Sequence, residues 1–474
     1  MNTNERNNKT RALALDALRG YAILTMVLSA TVVYGILPAW MYHMQEPPPS
    51  HVFNPKLAGL TWVDLVFPFF LFSMGAAFPF SIRKRFEKGD TYLKLAFEAL
   101  KRGLKLAFFA IFIQHFYPYM LSNPQDVRSW LLAILCFLLL FPMFMRIPLQ
   151  MPTWIRQLIH VTAYGIAVCM MAFTDFADEK PFSLYTSNII ILLLANMAVF
   201  GAWIYLFTMY NKKLRIVILL MLAGIFLSAN EQGSWAQLVS NYTPFPWLYR
   251  FSYMQYLFIV LTGSMAGDIL LRYTTDSSSF SRFACSTNKV ACGILLLSFF
   301  VVVVNLVGLY NRWSFFTLLI TTLLVGIAWL LLRKQEGVAR LWYQLLVLGA
   351  ILLFIGLCFE PYQGGIKKDG PTFAYLFVTS GLACMAMIFF HVLCDFFQMH
   401  RSTAFLVMSG QNPMIAYVAC DLLIYPLLQL TGIASILPFF ATTPWLGFLQ
   451  GVLLTLLSLL VTMFFTRIKW FWRT

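Results

Sequence analysis

Residues 59–75 of the chain read Gly-Leu-Thr-Trp-Val-Asp-Leu-Val-Phe-Pro-Phe-Phe-Leu-Phe-Ser-Met-Gly. The stretch is apolar enough to enter a membrane as a helix, yet it keeps an acid, Asp64, and a proline, Pro68, in its first turns. An acid in an apolar span is energetically costly and indicates function by default, although at this shallow depth it could also cap the helix or meet water. Pro68 removes one helical hydrogen bond, and the bend that this predicts could open a cavity beneath the preceding loop.

The composition extends this membrane character to the whole chain. Hydrophobic residues make up 60% of the 474 residues and charged residues only 11%, against roughly 25% charged in ordinary soluble domains. The apolar runs are about 17–25 residues long, which is the length that crosses ~30 Å of hydrocarbon, and in lipid they must be helical. The sequence therefore predicts an all-α, polytopic integral membrane protein with about 11–14 transmembrane helices.

The candidate spans form one transmembrane domain, residues 13–466, between an N-terminal tail of residues 1–12 and a basic tail of residues 467–474. About fourteen spans of suitable length can be drawn. They cover residues 13–37, 62–82, 103–120, 130–145, 158–173, 187–208, 216–229, 251–271, 290–309, 314–332, 343–359, 373–394, 404–430 and 445–465.

The net charge of +15 is explained by topology. With the N-terminus in the cytoplasm, most Lys and Arg fall in inside loops and adjoining helix ends, which is the positive-inside pattern. Both termini are then cytoplasmic, and nucleic-acid binding is not needed to explain the charge. Of the 34 basic residues, those that fall outside are Lys56, Arg128, Lys180, Arg250, Arg312, Lys367 and Lys368.

Two histidines, His43 and His51, lie in the outside loop that precedes residues 59–75, on either side of a stiff Pro47-Pro48-Pro49 element. An unperturbed histidine titrates near pH 6.5, so it can act as a base or an acid at neutral pH. For any single histidine, a hydrogen-bonded role in the loop is the more common alternative.

Other polar residues break the apolar pattern. Asp16 and Arg19 stand three apart at the inner end of the first span, where they can pair, and an anchor and a ligand site are equally weighted. Lys367 and its neighbour Lys368 lie in a glycine-rich outside loop that could hold an anionic substrate or simply be solvated. Asn412, in Gly-Gln-Asn-Pro, interrupts an apolar run, a pattern typical of a broken helix that lines a cavity.

The eight cysteines do not indicate a metal site or a disulfide framework. There is no CxxC motif and no cysteine–histidine spacing that resembles a zinc site, so they are interpreted as small core residues and no metal is expected. No P-loop, GxSxG, HExxH or GxGxxG motif is present either.

Four pieces of the sequence together resemble the heparan-α-glucosaminide N-acetyltransferase-like family of transmembrane acyltransferases. They fall at both ends of the chain and in the family's order. The pieces are Leu-Asp-Ala-Leu-Arg-Gly at residues 15–20, residues 59–72 with Gly75, Gly-Ile-Lys-Lys at residues 365–368 with Phe373 and Gly381, and Gly-Gln-Asn at residues 410–412 with Tyr417.

The resemblance implies transfer of an acetyl group from cytoplasmic acetyl-CoA to an amino sugar or other glycan on the far side of a membrane, here a bacterial inner membrane. It also implies a catalytic histidine in the loop before the Asp-Leu-Val-Phe-Pro helix, acting as a base or as a carrier of the acetyl group. His51 is the expected base, with His43 second and Asp64 orienting it or shaping the pocket. Counted back without gaps, the family's histidine position is held by Asn54 in this chain.

Four further residues complete the expected site. Asn412 and Lys367 are expected to contact acceptor or coenzyme, and Asp16 with Arg19 is a second candidate binding pair. The rival hypothesis is a transporter or flippase for a glycan or lipid-linked intermediate, which would need no coenzyme A. A third is an O-acyltransferase of a surface polysaccharide. A homodimer is left open.

Overall fold

The computed structural model describes residues 12–145, 151–275 and 288–473. It is all-helical, with 76% helix and no β-strand among these residues, and twelve of its helical segments are long and apolar enough to cross a membrane. The prediction of a polytopic all-α membrane protein is therefore confirmed. Residues 1–11 and Thr474, which belong to the predicted tails, lie outside the described residues.

Sixteen helices carry the architecture within the described residues. In chain order they are α1 Leu13–Thr31, α2 Trp62–Phe78, α3 Tyr92–His115, α4 Val127–Phe144, α5 Thr153–Phe173, α6 Ile189–Thr208, α7 Lys212–Ser228, α8 Leu257–Thr275, α9 Asn288–Tyr310, α10 Ser314–Leu332, α11 Val338–Phe359, α12 Phe373–His391, α13 His400–Gln411, α14 Pro413–Ala419, α15 Tyr425–Leu430 and α16 Pro444–Arg467.

Three of the predicted membrane spans differ from the transmembrane helices of the structure. The runs at residues 103–120 and 216–229 lie mostly in α3 and α7. These helices are not among the twelve, because α3 is charged over its first turns and α7 has only 17 residues. The run at residues 404–430 is divided at Asn412, as the Gly-Gln-Asn-Pro sequence predicts.

Helix α2 lies in the middle of the molecule, packed against α1, α8 and α12, and its residues are buried except at a few positions. Helices α5 and α16 lie at the periphery and expose most of their surface, as expected for helices that face lipid. The arrangement brings the first turn of α2, with Asp64, against both the N-terminal loop and the later helices of the chain.

Helices α1 and α13 cross at Gly20 and Gly410 with their backbones in close contact. A Cβ atom on Gly20 would lie 1.8 Å from the carbonyl oxygen of Leu406, and one on Gly410 would lie 1.8 Å from that of Asp16. Small residues at such crossings let transmembrane helices approach closely. The crossing holds the inner half of α1, which carries Arg19, against the break between α13 and α14.

Candidate functional site

Asp64 caps the helix that it belongs to. Its Oδ2 accepts hydrogen bonds from the backbone N–H of Thr61 at 3.0 Å and from the Thr61 hydroxyl at 2.9 Å, in a capping-box arrangement. The carboxylate is almost fully buried, with 2% of the side chain exposed. Its second oxygen, Oδ1, is directed to a partner outside the helix.

That partner is His43 in the preceding loop, whose Nδ1 lies 3.0 Å from Asp64 Oδ1. The backbone N–H of Met44 also donates to the carboxylate, at 3.3 Å, and fixes the loop against the helix. A carboxylate at Nδ1 holds the proton on that nitrogen and leaves Nε2 as the nitrogen that accepts hydrogen bonds. His43 itself is half-buried, with 32% of its side chain exposed.

Lys368 completes this group from the far end of the sequence. Its ammonium nitrogen lies 3.0 Å from Nδ1 and 3.3 Å from Nε2 of His43. Because Nδ1 donates to Asp64, the acceptor available to the ammonium is Nε2. The neighbouring residue fixes the loop, since Asp369 and Gln45 exchange two hydrogen bonds at 2.7 and 3.1 Å. We refer to Asp64, His43 and Lys368 as the outer cluster.

His51 is held differently. Its Nδ1 donates to the carbonyl oxygen of Glu46 at 3.1 Å, and its Nε2 accepts from the backbone N–H of Gly35 at 3.0 Å. The ring stands edge-on to Tyr34 and Tyr42 at 4.7 and 4.6 Å between centroids. Both ring nitrogens therefore have backbone partners, and the contacts link the end of α1 to the polyproline element.

The outer cluster faces a cavity of about 200 Å³, which we call the outer cavity. Burial and the charge of Glu46 raise the pKa of the Tyr34 hydroxyl, so this tyrosine stays protonated in the cavity wall. The polar and charged residues that line the cavity include His43, Glu46, His51, Lys368, Tyr417 and Asp421.

A second cavity, of about 290 Å³, lies toward the opposite end of α1 and is here called the inner pocket. Three arginines line it, Arg19, Arg102 and Arg473, and no acidic residue appears among the described residues of its wall. Arg19 and Thr31, which line the inner and outer cavities respectively, are roughly 18 Å apart along α1 at 1.5 Å per residue. The two cavities therefore open toward opposite ends of the same helix.

A narrow apolar space of about 30 Å³ lies between them, and we call it the neck. It shares Met26, Phe67 and Tyr417 with the outer cavity, and Phe70 and Met414 with the inner pocket. The three spaces thus share walls and form one row through the helices. Such a row could bring an elongated molecule from the arginines toward the outer cluster.

The remaining sequence-predicted residues lie in several places. Asp16 and Arg19 form the predicted pair, at 3.8 Å, and Arg19 also lines the inner pocket. Asn412 is buried beside that pocket, where it donates to the carbonyl oxygen of Trp470 at 2.8 Å and accepts from the Trp472 N–H at 3.2 Å. It therefore anchors the C-terminal segment.

Two predicted residues lie apart from the outer cluster. Asn54 is exposed in its loop, where its side chain accepts from the Lys56 N–H at 3.0 Å. Lys367 donates its backbone N–H to the Thr372 hydroxyl at 3.1 Å, and it is the next residue, Lys368, that reaches His43. Neither Asn54 nor Lys367 is among the described residues that line the outer cavity.

Sequence reasoning missed the residues that come to the site from distant segments. Lys368 was visible as an unusual outside charge, but its sequence neighbour carried the same signal. Arg102 belongs to a basic cluster that the positive-inside pattern already explains. Tyr375, whose hydroxyl bonds the backbone of Asp64, gave no signal because a tyrosine near the end of a span is ordinary.

No curated protein matches this chain. Residues 11–270 match the family described as a domain of unknown function, DUF5009. The matched region contains His43, His51 and Asp64, whereas Lys368 and Tyr375 lie beyond it. Because the match covers more than half of the 474 residues, the chain belongs to the DUF5009 family.

Proposed function

We propose that the protein is a transmembrane acetyltransferase. It takes acetyl groups from cytoplasmic acetyl-CoA and delivers them to an amino sugar or other glycan on the outer face of a bacterial inner membrane. The observation that carries the proposal is the row of cavities, with an arginine-lined pocket at one end and a carboxylate-bound histidine at the other.

The inner pocket has the chemistry to hold the donor. Coenzyme A carries several phosphate charges, and arginine guanidinium groups bind phosphate oxygens with charge-assisted, often bidentate hydrogen bonds. Arg102 and Arg473 are exposed at the pocket, so their guanidinium groups are accessible to such a ligand. The acyl-carrying arm of the coenzyme is long and narrow, which suits the neck.

The neck has to widen for that arm to pass. Its walls include Met26 and Met414, and methionine side chains are unbranched and adapt their shape to a neighbour. Repacking of these side chains would admit the arm without moving a helix. The thioester would then enter the outer cavity from below, close to the outer cluster.

In the outer cavity His43 acts as the general base. Its Nε2 exchanges the hydrogen bond from Lys368 for one from the acceptor amine and removes a proton from that amine. The amine nitrogen attacks the thioester carbonyl, and Asp64 stabilises the imidazolium that forms. The Lys368 ammonium, 3.3 Å from Nε2, supplies positive charge for the oxyanion of the tetrahedral intermediate. An acetyl-histidine route through the same Nε2 is the alternative chemistry, and trapping of labelled enzyme separates the two.

His51 takes a positioning role in this proposal, because both of its ring nitrogens are used by the backbone. It braces the loop that presents His43. The sequence-based choice of His51 as base stays a prediction beside this one, and the two histidines are separated by mutation.

A transporter is the second candidate, favoured by the helix break at Asn412 within the row of cavities. The polar atoms of Asn412 bond the C-terminal segment, however, so this break holds protein against protein. That contact favours the transferase. O-acylation in place of N-acylation is a question of product, which mass analysis of the acetylated acceptor answers.

The test uses the purified full chain in detergent with radiolabelled acetyl-CoA and glucosamine. We expect acceptor-dependent release of coenzyme A in the wild type and its loss in His43→Ala. If the wild type neither binds nor turns over acetyl-CoA, the transferase proposal is wrong and uptake of glycans into proteoliposomes becomes the next measurement.

A further inference from the structure

We infer that Asp421 is the residue that recognises the acceptor in the outer cavity, and that the group it binds is a protonated primary amine. The inference rests on the proposed function for the fate of that amine, and it adds the residue and the charge state by which the acceptor is selected.

Asp421 belongs to a π-helical turn, Cys420–Ile424, between α14 and α15. Single π turns within α-helices are rare and frequently occur at functional sites, because the extra residue redirects the side chains of that turn. Here the turn lies one helical turn beyond Tyr417, and both residues line the outer cavity. The carboxylate of Asp421 is accessible although the residue lies within a membrane span.

The carboxylate has no partner in the protein that the structure describes. Among residues 12–145, 151–275 and 288–473, none donates a hydrogen bond to it or forms an ion pair with it. Four other acids in the spans contrast with this. They are Asp16, Asp64, Asp268 and Asp395, paired with Arg19, His43, Arg215 and the Ala14 N–H.

An acid without a partner in a membrane span is expensive and indicates a function by default. The other two charged residues of the outer cavity wall, Glu46 and Lys368, indicate the charge of the group that binds there. The Glu46 carboxylate forms no hydrogen bond or ion pair with the residues that the structure describes, and it adds a second negative charge. The charge of Lys368 is offset by Asp64, the carboxylate bonded to His43. The cavity is therefore net negative and favours a cation over a phosphate or a carboxylate.

The aromatic residues of the cavity wall indicate what kind of molecule carries this cation. Tyr34, Tyr42, Phe67 and Tyr417 line the same cavity. Aromatic rings offer flat apolar faces suited to a sugar ring, and the Tyr34 hydroxyl can add a hydrogen bond. The hydroxyls of Tyr42 and Tyr417 already donate to the Val33 carbonyl and the Asn188 side chain. The occupant that fits is a small hydroxylated ring bearing one ammonium group.

The reaction balances from this bound state. The ammonium gives one proton to Nε2 of His43, and the free amine then attacks the thioester carbonyl. The C–N bond forms, the C–S bond breaks, and the second proton lost from nitrogen neutralises the departing coenzyme A thiolate. Asp421 thus binds the ammonium group of the acceptor and takes no proton itself.

The test compares glucosamine with glucose, a neutral sugar of the same ring, by calorimetric titration of the full chain in detergent without acetyl-CoA. We expect the wild type to prefer glucosamine at least tenfold, Asp421→Asn to lose that preference, and Asp421→Glu to keep part of it. Asp175→Asn, at an exposed loop acid whose side chain is 90% exposed, is the matched control and should behave as wild type.

A wild type without preference for glucosamine, or an Asp421→Asn variant that keeps it, overturns the inference. Steady-state kinetics add a second readout, in which Asp421→Asn raises the KM for glucosamine at least tenfold. Failure of the proposed function is a separate result: the wild type would then bind glucosamine through Asp421 and leave acetyl-CoA unchanged.

Discussion

The hydroxyl of Tyr375 donates a hydrogen bond to the backbone carbonyl of Asp64 at 2.8 Å, across 311 residues of sequence. Both residues are buried. The bond connects the first turn of α2 to α12. Helix α12 begins shortly after the loop that contains Lys368, whose ammonium contacts His43. The outer cluster is therefore assembled from both ends of the chain, and the family match to residues 11–270 contains only part of it.

The two loop histidines should differ sharply on mutation. His43→Ala removes the group bound to Asp64, and loss of a general base typically reduces turnover about 10²–10⁴-fold. His51→Ala removes two hydrogen bonds to the backbone at Gly35 and Glu46, so it should lower the unfolding temperature and keep far more of the turnover. Coenzyme A release and thermal unfolding of both variants check this.

One result would reverse the assignment. If His51→Ala were as inactive as His43→Ala while unfolding at the wild-type temperature, His51 would be the base, as the sequence resemblance implies. Asp64→Asn provides a further check, because it keeps the shape of the side chain and removes the charge that stabilises the imidazolium at His43.

The adjacent lysines offer a matched pair. Lys368→Gln removes the ammonium 3.0 Å from His43 and should lower turnover at least tenfold, since removing one donor of an oxyanion site costs about 10²–10³-fold in well-studied enzymes. Lys367→Gln changes the same charge one residue away and should retain turnover within about twofold, because the side chain does not line the cavity. Equal losses in the two variants would contradict a role specific to Lys368.

Arg102 is expected to act on the donor alone. Arg102→Gln should raise the KM for acetyl-CoA about tenfold or more, because a hydrogen bond to a charged group contributes about 1.5–3 kcal/mol. Lys101→Gln is the control, since Lys101 precedes Arg102 on α3 and lines a different groove. A shift that appeared equally in both variants would indicate a general effect of basic charge at the inner surface.

The fold class followed from the sequence because apolar runs of membrane-spanning length are a local property of the chain. Asp64 could be singled out for the same reason, as an acid written into an apolar run. The pairing of Asp64 with His43 and not with His51 could not be predicted. The conformation of the loop decides which imidazole reaches the carboxylate, and in this loop His51 has a φ of +49°.

The residues that reach the site from later helices could not be predicted either, for a different reason. Lys367 and Lys368 are equivalent by charge and neighbourhood. Two hydrogen bonds between Gln45 and Asp369 help to hold the loop in which the second lysine reaches His43. Arg215 pairs with Asp268 of a different helix in a fully buried contact at 3.0 Å. Such partners are set by helix packing, which spacing within one helix does not encode.

The N-cap of α4 should carry a measurable pH dependence. The Asp126 carboxylate accepts from the Ser129 N–H at 2.8 Å and from the Ser122 hydroxyl at 3.0 Å, and these bonds hold the pKa of that carboxyl below its usual range. A lowered folded-state pKa gives stability that is fully present above the unfolded value, about 3.9, and is lost as the pH falls through the folded value.

The comparison is with Asp126→Asn, which can still cap but cannot ionise. The wild type should unfold at a higher temperature than this variant at pH 6, and the difference should shrink as the pH falls below about 4. Asp175→Asn serves as the control for general effects of acid on the detergent complex. A difference that stayed constant from pH 6 to pH 3 would show that ionisation of the cap does not contribute.

The crossing of α1 and α13 provides the last prediction. Gly20→Ala would place a methyl group 1.8 Å from the Leu406 carbonyl oxygen, and since that atom is backbone, the helices must separate. Overpacking of this kind costs about 1–3 kcal/mol, occasionally more. Because α1 also carries Arg19 into the inner pocket, we expect a lower unfolding temperature together with a higher KM for acetyl-CoA.

Gly165→Ala in the peripheral helix α5 is the matched substitution, because no atom lies within 4 Å of the Cβ that it would add. It should be neutral or slightly stabilising, since alanine is favoured over glycine in a helix by roughly 0.5–1 kcal/mol. If Gly20→Ala were as stable as Gly165→Ala, the close contact of α1 and α13 would be wrong, and with it the position of Arg19 beside the break at Asn412.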